Sequence, residues 1–264
     1  MGNTENVSGS RAKRAGGSGA RPAVFPCDRC PLDGRHHFET HTREETNFLL
    51  RLKKGEFHAE SGDLFLHEGE TSDRLFTVLS GWGFRSKMLP DGRRQIMNYV
   101  MPGDFVGLQA TLFGRMQHSV QALSPMLLCF FGRQDLRHLY EEAPSLAYDI
   151  TWLASREEQI LEEHLLSVGR RSAVERAAYL VSFLHQRGLR TGVVEDGGPL
   201  EPFTQTHVAD TLGLSLVHTN KTLRKLQREG VVRWSGKSCY VQDAERLKAA
   251  AAWQGLPDAD RAFI

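Results

Sequence analysis

Two cysteines near the start of the chain have a spacing that suits metal or redox chemistry. Cys27 and Cys30 form a Cys-x-x-Cys pair, and the other two cysteines are Cys129 and Cys239. Four cysteines in 264 residues are too few for a disulfide framework, and in a reducing compartment paired cysteines more often bind a metal or undergo redox reactions. The pair therefore marks a candidate metal or thiol site, whereas Cys239 is predicted to be a small apolar filler.

A second group of functional side chains lies between Thr204 and Gly230. The sequence predicts a short helix headed by Thr204, a turn at Gly213, and a second helix that begins after Ser215 and stops before Gly230. Two helices joined by a turn that contains glycine are the outline of a helix-turn-helix. Ala209, four residues before the turn, is small enough to let the two helices approach.

The second of these helices suits DNA because it carries four basic residues and no acidic residue between Ser215 and Arg228. Asn, Lys and Arg side chains reach base edges and phosphates. The following segment VVRWSGKSCYV predicts two strands around Ser235 and Gly236, which would form a β wing. The predicted DNA-binding residues are Thr204, Ser215, Val217, His218, Asn220, Lys221, Arg224, Arg233 and Lys237. The predicted buried face of the second helix is Leu216, Leu223 and Leu226.

The elements upstream change from strands to helices. From about Glu44 to Asp135, short apolar runs are separated by glycines, which predicts an all-β sandwich, barrel or roll. Apolar residues then recur at helical steps from Ser145 to Val168, and Gly169 is predicted to end this helix of about 36 Å.

The apolar face of this long helix needs a partner, and a second copy of the chain is the simplest one. The predicted dimerisation residues are Ile150, Leu153, Ile160, Leu161 and Leu165. A further helix is predicted from Ser172 to about His185, followed by a glycine-rich connection from Gly188 to Pro202.

Composition narrows the class of protein. Lys and Arg number 33 against 32 Asp and Glu, and 40% of residues are hydrophobic, which is typical of a soluble globular chain. No 18-residue apolar stretch and no secretory signal is present, so a cytoplasmic location without a membrane partner is predicted. GxSxG, HExxH and P-loop motifs are absent from the sequence, and catalysis is not expected.

Three segments resemble the CRP/FNR family of bacterial transcription regulators. They are GDFVGLQATLF with HSVQA at 103–122, SVGRRSAVERAAYLV at 167–181, and VADTLGLSLVHTNKTLRKLQREG at 208–230. The resemblance implies an α+β chain with a cyclic-nucleotide-binding-like β-roll, a long dimerisation helix and a winged helix-turn-helix. The implied domains are a disordered basic tail at 1–26, the β-roll at 27–136, the long helix at 137–168, the DNA-binding domain at 169–247 and a C-terminal tail at 248–264.

The resemblance is closer to the FNR branch than to the branch that binds cyclic AMP. In the latter, a Glu and an Arg-Ser pair hold the nucleotide, and the matching positions here are Leu108, His118 and Ser119. The charge-assisted contacts to ribose and phosphate are therefore lost, and cyclic AMP is not expected as a ligand.

The FNR branch holds an oxygen-labile iron-sulfur cluster with an N-terminal cysteine cluster and one distant cysteine. The resemblance implies Cys27, Cys30 and Cys129 as ligands, with His36 where the family has its next cysteine. Imidazole replaces thiolate at iron in some clusters. Zinc, a reversible thiol switch, and no ligand role at all stay open as alternatives.

The DNA-reading helix departs from the FNR pattern, which places a Glu and a Ser-Arg pair where this chain has Val217, Asn220 and Lys221. The operator is therefore expected to differ at one or more bases. The sequence predicts a homodimeric regulator that binds a pseudo-palindromic double-stranded DNA operator, contacts RNA polymerase, and is switched by redox or oxygen through the cluster. A metal-free regulator controlled by a small effector or a thiol switch, and a constitutive one, are the alternatives.

Overall fold

The computed structural model describes residues 26–257 and 260–264. The predicted basic tail, residues 1–26, lies outside these residues except for Pro26. No helix in the described ranges is both long and apolar enough to cross a bilayer.

The N-terminal half is the β-roll that the glycine-punctuated apolar runs predicted. Its strands form two four-stranded sheets, ordered β1-β8-β3-β6 and β2-β7-β4-β5. The strands are β1 (Lys53–Ala59), β2 (Leu64–Leu66), β3 (Arg74–Ser80), β4 (Gly83–Met88), β5 (Arg94–Val100), β6 (Phe105–Val106), β7 (Ser119–Ala122) and β8 (Met126–Gly132). Gly81 precedes β4 with a φ of +75°, and a Cβ there would lie 2.1 Å from the carbonyl oxygen of Pro125, so only glycine fits.

Among the described residues, the N-terminal part up to Arg170, which we call the sensor half, has a short 3-10 helix (Cys27–Arg29) and four α-helices. They are α1 (Arg43–Leu52), α2 (Leu108–Phe113), α3 (Asp135–Glu142) and α4 (Pro144–Arg170). Helix α4 is the predicted long helix, and Pro144 occupies its first turn, where the missing N–H costs nothing. Gly169 lies inside α4 rather than ending it, because the helix continues to Arg170.

The C-terminal half is helical with a small wing. Its elements are α5 (Ala173–Thr191), α6 (Gln205–Leu212), α7 (Leu216–Arg228), β9 (Val232–Ser235), β10 (Ser238–Val241) and α8 (Ala244–Ala250). Helix α5 runs past the predicted end at His185 and stops at Gly192, which has a left-handed φ of +73°. Gly188 is therefore helical, and a Cβ there would meet Val194 at 2.5 Å.

The two halves share one apolar core instead of meeting only at a linker. Trp82 stacks on Tyr99 of the roll, and Phe203 from the C-terminal half contacts both rings. Trp82 also donates its indole N–H to the carbonyl of Glu201 at 3.0 Å. The roll therefore helps to position the helix-turn-helix.

Three of the five predicted dimerisation residues are covered within one protomer. Ile150 and Leu153 are buried in the core of the sensor half, and Ile160 is buried in the core shared with α5. Leu161 is half-buried, and Leu165 is 72% exposed. Helical periodicity identified a face that must be buried, but the roll and α5 cover most of that face, so its assignment to a second copy is corrected for these three residues.

The predicted C-terminal tail also differs from the structure. Residues 244–250 form α8, and the segment 260–264 packs back onto the sensor half. Ala262, Phe263 and Ile264 are buried there. This segment contributes to the sensor core, which no local sequence pattern indicated.

Candidate functional site

The helix-turn-helix forms where the capping residues predicted it. The Thr204 hydroxyl accepts the backbone N–H of His207 at 3.3 Å, and the Ser215 hydroxyl accepts that of His218 at 3.2 Å. Gly213 turns the chain between α6 and α7 with a φ of +64°. Capping of orphan N–H groups and a glycine in the left-handed region define both helix boundaries locally.

Helix α7 presents a basic, open face to solvent. A shallow groove on this face is lined by Val217, Asn220, Lys221, Arg224, Gln227 and Arg228. Val217 is 81% exposed, and His218, Lys221 and Arg224 are exposed as well. Asn220 is half-buried, and its Oδ1 has no hydrogen-bond partner within the described chain. This oxygen is shielded from solvent, so it is the position of Asn220 in the groove, and not an exposed amide oxygen, that makes the residue a candidate for base contact.

Two groove residues were missed by the sequence prediction, and one predicted residue is placed differently. Gln227 and Arg228 lie on the same face as Lys221, one to two turns further along α7, and helical spacing was the signal for them. Leu223 and Leu226 are buried as predicted, whereas Leu216 is 48% exposed. Leu216 is the first residue of α7, directly after the Ser215 cap.

The wing follows α7 as a two-stranded antiparallel ribbon. Arg233 is exposed and its guanidinium lies 3.8 Å from the ring centroid of Tyr240, a stacking contact that holds the charge in place. Lys237 is exposed in the turn between β9 and β10. Both predicted phosphate contacts are therefore on an accessible basic surface.

Helix α6 is tied to the roll by a bridge between charged groups. Arg94 on β5 pairs with Asp210 at 2.7 Å. Tyr99 and Thr211 share a hydrogen bond of 2.8 Å. Burial lowers the pKa of His207 to about 4, so this histidine packs against Phe84 as a neutral ring. The orientation of the DNA-binding helices thus depends on the sensor half.

Cys27, Cys30 and Cys129 line one small cavity, which we call the three-cysteine cavity. It has a volume of about 20 Å³, room for about one water molecule. Its wall also includes His41, Phe263 and Ile264. The three predicted thiols are thus brought together from segments far apart in the sequence.

The thiols of this cavity are held in the protonated form. Burial raises the pKa of Cys27 to about 11 and that of Cys129 to about 12, while the ammonium of Lys53 opposes the shift. Burial also raises the pKa of Cys30. Thiols in such surroundings react slowly, because the thiolate is the nucleophile.

His36 is not part of the three-cysteine cavity. Its side chain is exposed and meets His37 edge to face, with ring centroids 4.0 Å apart. His41 is the histidine that lines the cavity, and its Nε2 lies 3.1 Å from the carbonyl oxygen of Phe263. The described residues contain no group of three or more His, Cys, Asp and Glu arranged to hold a metal ion. A cluster of several irons and sulfides is larger than this cavity, so the closed arrangement does not fit it.

A larger cavity of about 270 Å³ lies between the roll, α4 and α5. Leu108 and His118, at positions where the cyclic-AMP branch has charged ligands, are part of its wall. Burial, with Arg85 and Lys87, lowers the pKa of His118 to about 3, so it offers no charge to a phosphate. The charges come instead from five arginines, which are Arg85, Arg156, Arg187, Arg190 and Arg261. We call this space the arginine cavity.

Comparisons with known proteins agree with this architecture. Residues 56–143 match the cyclic nucleotide-binding domain, and residues 176–250 match the Crp-like helix-turn-helix domain. The nitrogen fixation regulation protein FixK of Bradyrhizobium diazoefficiens is 34% identical over 195 residues, covering 74% of this chain and 81% of its own. The transcriptional activator protein FnrL of Cereibacter sphaeroides is 28% identical over 227 residues, covering 84% and 90%.

A solved structure gives the same result. FixK2 from Bradyrhizobium japonicum superposes with a TM-score of 0.64 at 25% identity, covering 74% of this chain and 96% of its own. The roll, the long helix and the exposed basic helix-turn-helix define a transcriptional regulator with a DNA-binding helix-turn-helix domain. The chain belongs to the CRP/FNR family, and within it to the FNR branch.

Proposed function

We propose that the chain acts in the cytoplasm as a homodimer that binds a pseudo-palindromic operator and contacts RNA polymerase. The observation that carries this proposal is the exposed basic face of α7, with Asn220, Lys221 and Arg224 along one groove and the basic wing beside it. In a two-fold dimer, the two α7 helices would enter successive major grooves about 34 Å apart. Selection of duplexes from a random pool, followed by footprinting, tests this; two protected half-sites one helical turn apart are expected.

The dimer surface is proposed to use the outward face of α4. Tyr148 is 69% exposed, Leu165 is 72% exposed and Leu166 is 50% exposed, although all three are large apolar side chains. They remain uncovered after the roll and α5 have packed on the opposite face. Sedimentation of wild type and Leu165→Glu tests the surface: the wild type should sediment as a dimer and the variant as a monomer, whereas an unaffected dimer would contradict it.

For the signal, we propose the thiols of the three-cysteine cavity. The convergence of Cys27, Cys30 and Cys129 supports a redox response that is slow while the cavity stays closed, and a disulfide between two of them fits the available space better than a cluster does. In such a step, two thiols and one hydrogen peroxide give one disulfide and two water molecules. The cavity does not suit a cluster, because it is small and His36 is not among the residues that line it.

The test combines chemical analysis with DNA binding. Protein purified without oxygen is analysed for iron, sulfide and zinc, and operator affinity is measured before and after peroxide in wild type, Cys129→Ser and Cys239→Ser. Affinity that changes with peroxide in wild type and Cys239→Ser, but not in Cys129→Ser, supports the thiol switch. Iron with labile sulfide would instead favour the cluster, and an affinity indifferent to peroxide would favour a different signal or a constitutive regulator.

The arginine cavity supports a second candidate signal, a small anionic effector. Five arginines face two carboxylates, Asp104 and Glu157. Arg156 has no carboxylate partner in the described chain, and burial together with Arg187, Arg261 and Arg190 lowers its pKa. An anion with an apolar part would relieve this repulsion.

Calorimetry with inorganic phosphate, citrate and cyclic AMP examines this second candidate. Arg156→Gln should weaken binding of the anion, while Arg137→Gln, on the exposed side of α3, serves as the matched control. Equal binding of the anion by both variants, or no binding by the wild type, would show that the arginine cavity is not an anion site.

A further inference from the structure

We propose that residues 260–264 form a strap that closes the three-cysteine cavity and links it to the DNA-binding half. The strap follows α8 along the chain and returns to the sensor half, where it packs on the segment that contains Phe38 and His41. That the strap covers the cavity is argued from its packing contacts alone. Its regulatory use rests on the proposed thiol signal.

A buried ion-pair cluster fastens the strap. Arg261 donates from Nη2 to Asp104 Oδ1 at 2.7 Å, and the other carboxylate oxygen of Asp104 accepts from Arg187 on α5. Burial by itself would raise the pKa of Asp104, but Arg187 and Arg261 outweigh burial and lower the pKa to about 2. One carboxylate therefore holds the strap and the first helix of the DNA-binding half together.

Main-chain hydrogen bonds fix the strap in register. The N–H of Arg261 donates to the carbonyl of His37 at 3.0 Å, and the N–H of Glu39 donates to the carbonyl of Arg261 at 3.0 Å. The guanidinium of Arg261 also lies 5.5 Å from the ring centroid of Phe38. These contacts can form in only one alignment of the strap with the segment 37–39, so the strap has one defined position.

The end of the strap is the part that covers the thiols. Phe263 and Ile264 are 2% and 4% exposed and line the three-cysteine cavity beside Cys129, which is itself 6% exposed. Cys27 and Cys30 are half-buried, so they depend less on this cover. A reagent or oxidant that reaches Cys129 from this side has to displace Phe263.

The arrangement couples access to Cys129 with the position of α5. Opening the strap breaks the Arg261–Asp104 pair, and the same carboxylate contacts Arg187 of α5. Because coupling between two sites is reciprocal, DNA binding that shifts α5 must also change how often the strap opens. The strap thus provides a physical connection between the cysteines and the DNA surface.

Labelling of individual cysteines with iodoacetamide, resolved by mass spectrometry, tests the cover on the full-length protein. Phe263→Ala and Arg261→Gln should each speed labelling of Cys129 at least tenfold, while Phe263→Leu, which keeps an apolar plug, and Asp260→Asn, at an exposed position, should stay near wild type. Cys239 is fully buried in the DNA-binding half and serves as the internal control. Unchanged labelling of Cys129, or equal acceleration at Cys239, would overturn the cover.

The coupling is tested by repeating the labelling with a duplex selected from a random pool. In wild type the duplex should change the Cys129 rate at least threefold, and in Arg261→Gln it should not. If the duplex leaves the rate of Cys129 labelling in the wild type unchanged, the coupling is overturned. If instead these results hold while peroxide leaves operator affinity unchanged, the strap stands and the proposed thiol signal fails, so the two failures are distinguishable.

Discussion

The DNA surface and the three-cysteine cavity are built in opposite ways. Helix α7 takes its boundaries, its buried leucines and its exposed basic groove from one continuous stretch of sequence. The cavity instead gathers Cys27 and Cys30, Cys129, and the segment 260–264 from three separate parts of the chain. The first is basic and open, whereas the second is closed and lined mainly by thiols and apolar side chains, with the ammonium of Lys53 in its wall. The difference teaches that the output of this regulator is encoded locally, whereas its candidate input exists only after folding.

The largest expected effect concerns the buried ion pairs of Asp104, which hold the strap over the three-cysteine cavity. Asp104→Asn leaves Arg187 and Arg261 buried without their carboxylate, and we expect the free energy of unfolding to fall by about 3–5 kcal/mol. Urea denaturation measures it. The control is Asp91→Asn, in an exposed turn, with an expected change below about 0.5 kcal/mol. A loss in Asp104→Asn as small as in the control would show that the sensor half does not depend on this cluster.

The next effect concerns the locally encoded surface. Asn220→Ala and Lys221→Ala should each remove about 1–3 kcal/mol of discrimination between operator and mutated half-sites, because each would lose the base-edge contact proposed for it. Gel shifts against a half-site series measure it. Lys225→Ala is the matched control, since Lys225 is exposed on the same helix but outside the groove and 4.0 Å from Glu229. If Asn220→Ala and Lys221→Ala keep the wild-type selectivity, other residues must recognise the bases.

A smaller effect concerns the pH dependence of stability, which a buried histidine should change and an exposed histidine of the DNA surface should not. His164 is packed against Tyr179 and Phe183, and burial followed by Arg187 lowers its pKa to about 4 from the usual 6.5. The unfolded chain therefore binds a proton that the folded chain excludes, so stability is full above pH 6.5 and falls between about pH 6.5 and 4. From pH 7 to pH 5 this histidine should cost about 1–2 kcal/mol.

Urea denaturation at both pH values measures this loss, and His164→Gln should show a shallower decline than wild type. His218→Gln, at an exposed position of α7, should keep the wild-type slope. Identical slopes in all three proteins would mean that His164 does not titrate as its burial implies.

The smallest effect concerns the wing. Lys237→Ala should weaken binding to all duplexes by a few-fold and reduce the salt dependence of binding by about one unit, because the proposed phosphate contact would be lost. Fluorescence anisotropy across a salt series measures it, with Lys87→Ala on the roll as control. A sequence-dependent loss would turn Lys237 from a phosphate contact into a base contact.

Much of the fold was predictable because its signals are short in range. Thr204, Gly213 and Ser215 define the helix-turn-helix through caps and one left-handed residue, and the glycine-punctuated apolar runs indicate the roll. The DNA face follows from charge and helical spacing alone. Even Gln227 and Arg228, which were missed, lie at positions that the same spacing indicates.

What the sequence by itself determined, then, is the order of elements, the family and the basic face of α7. Only the tertiary structure decided what covers each apolar face and which distant groups meet. Ile150 and Leu153 are buried by their own roll, His41 rather than His36 lines the cavity, and Phe263 returns to cover Cys129. Local patterns show that a face must be buried, but the partner that buries it is chosen by packing between segments far apart in the chain, which no spacing records.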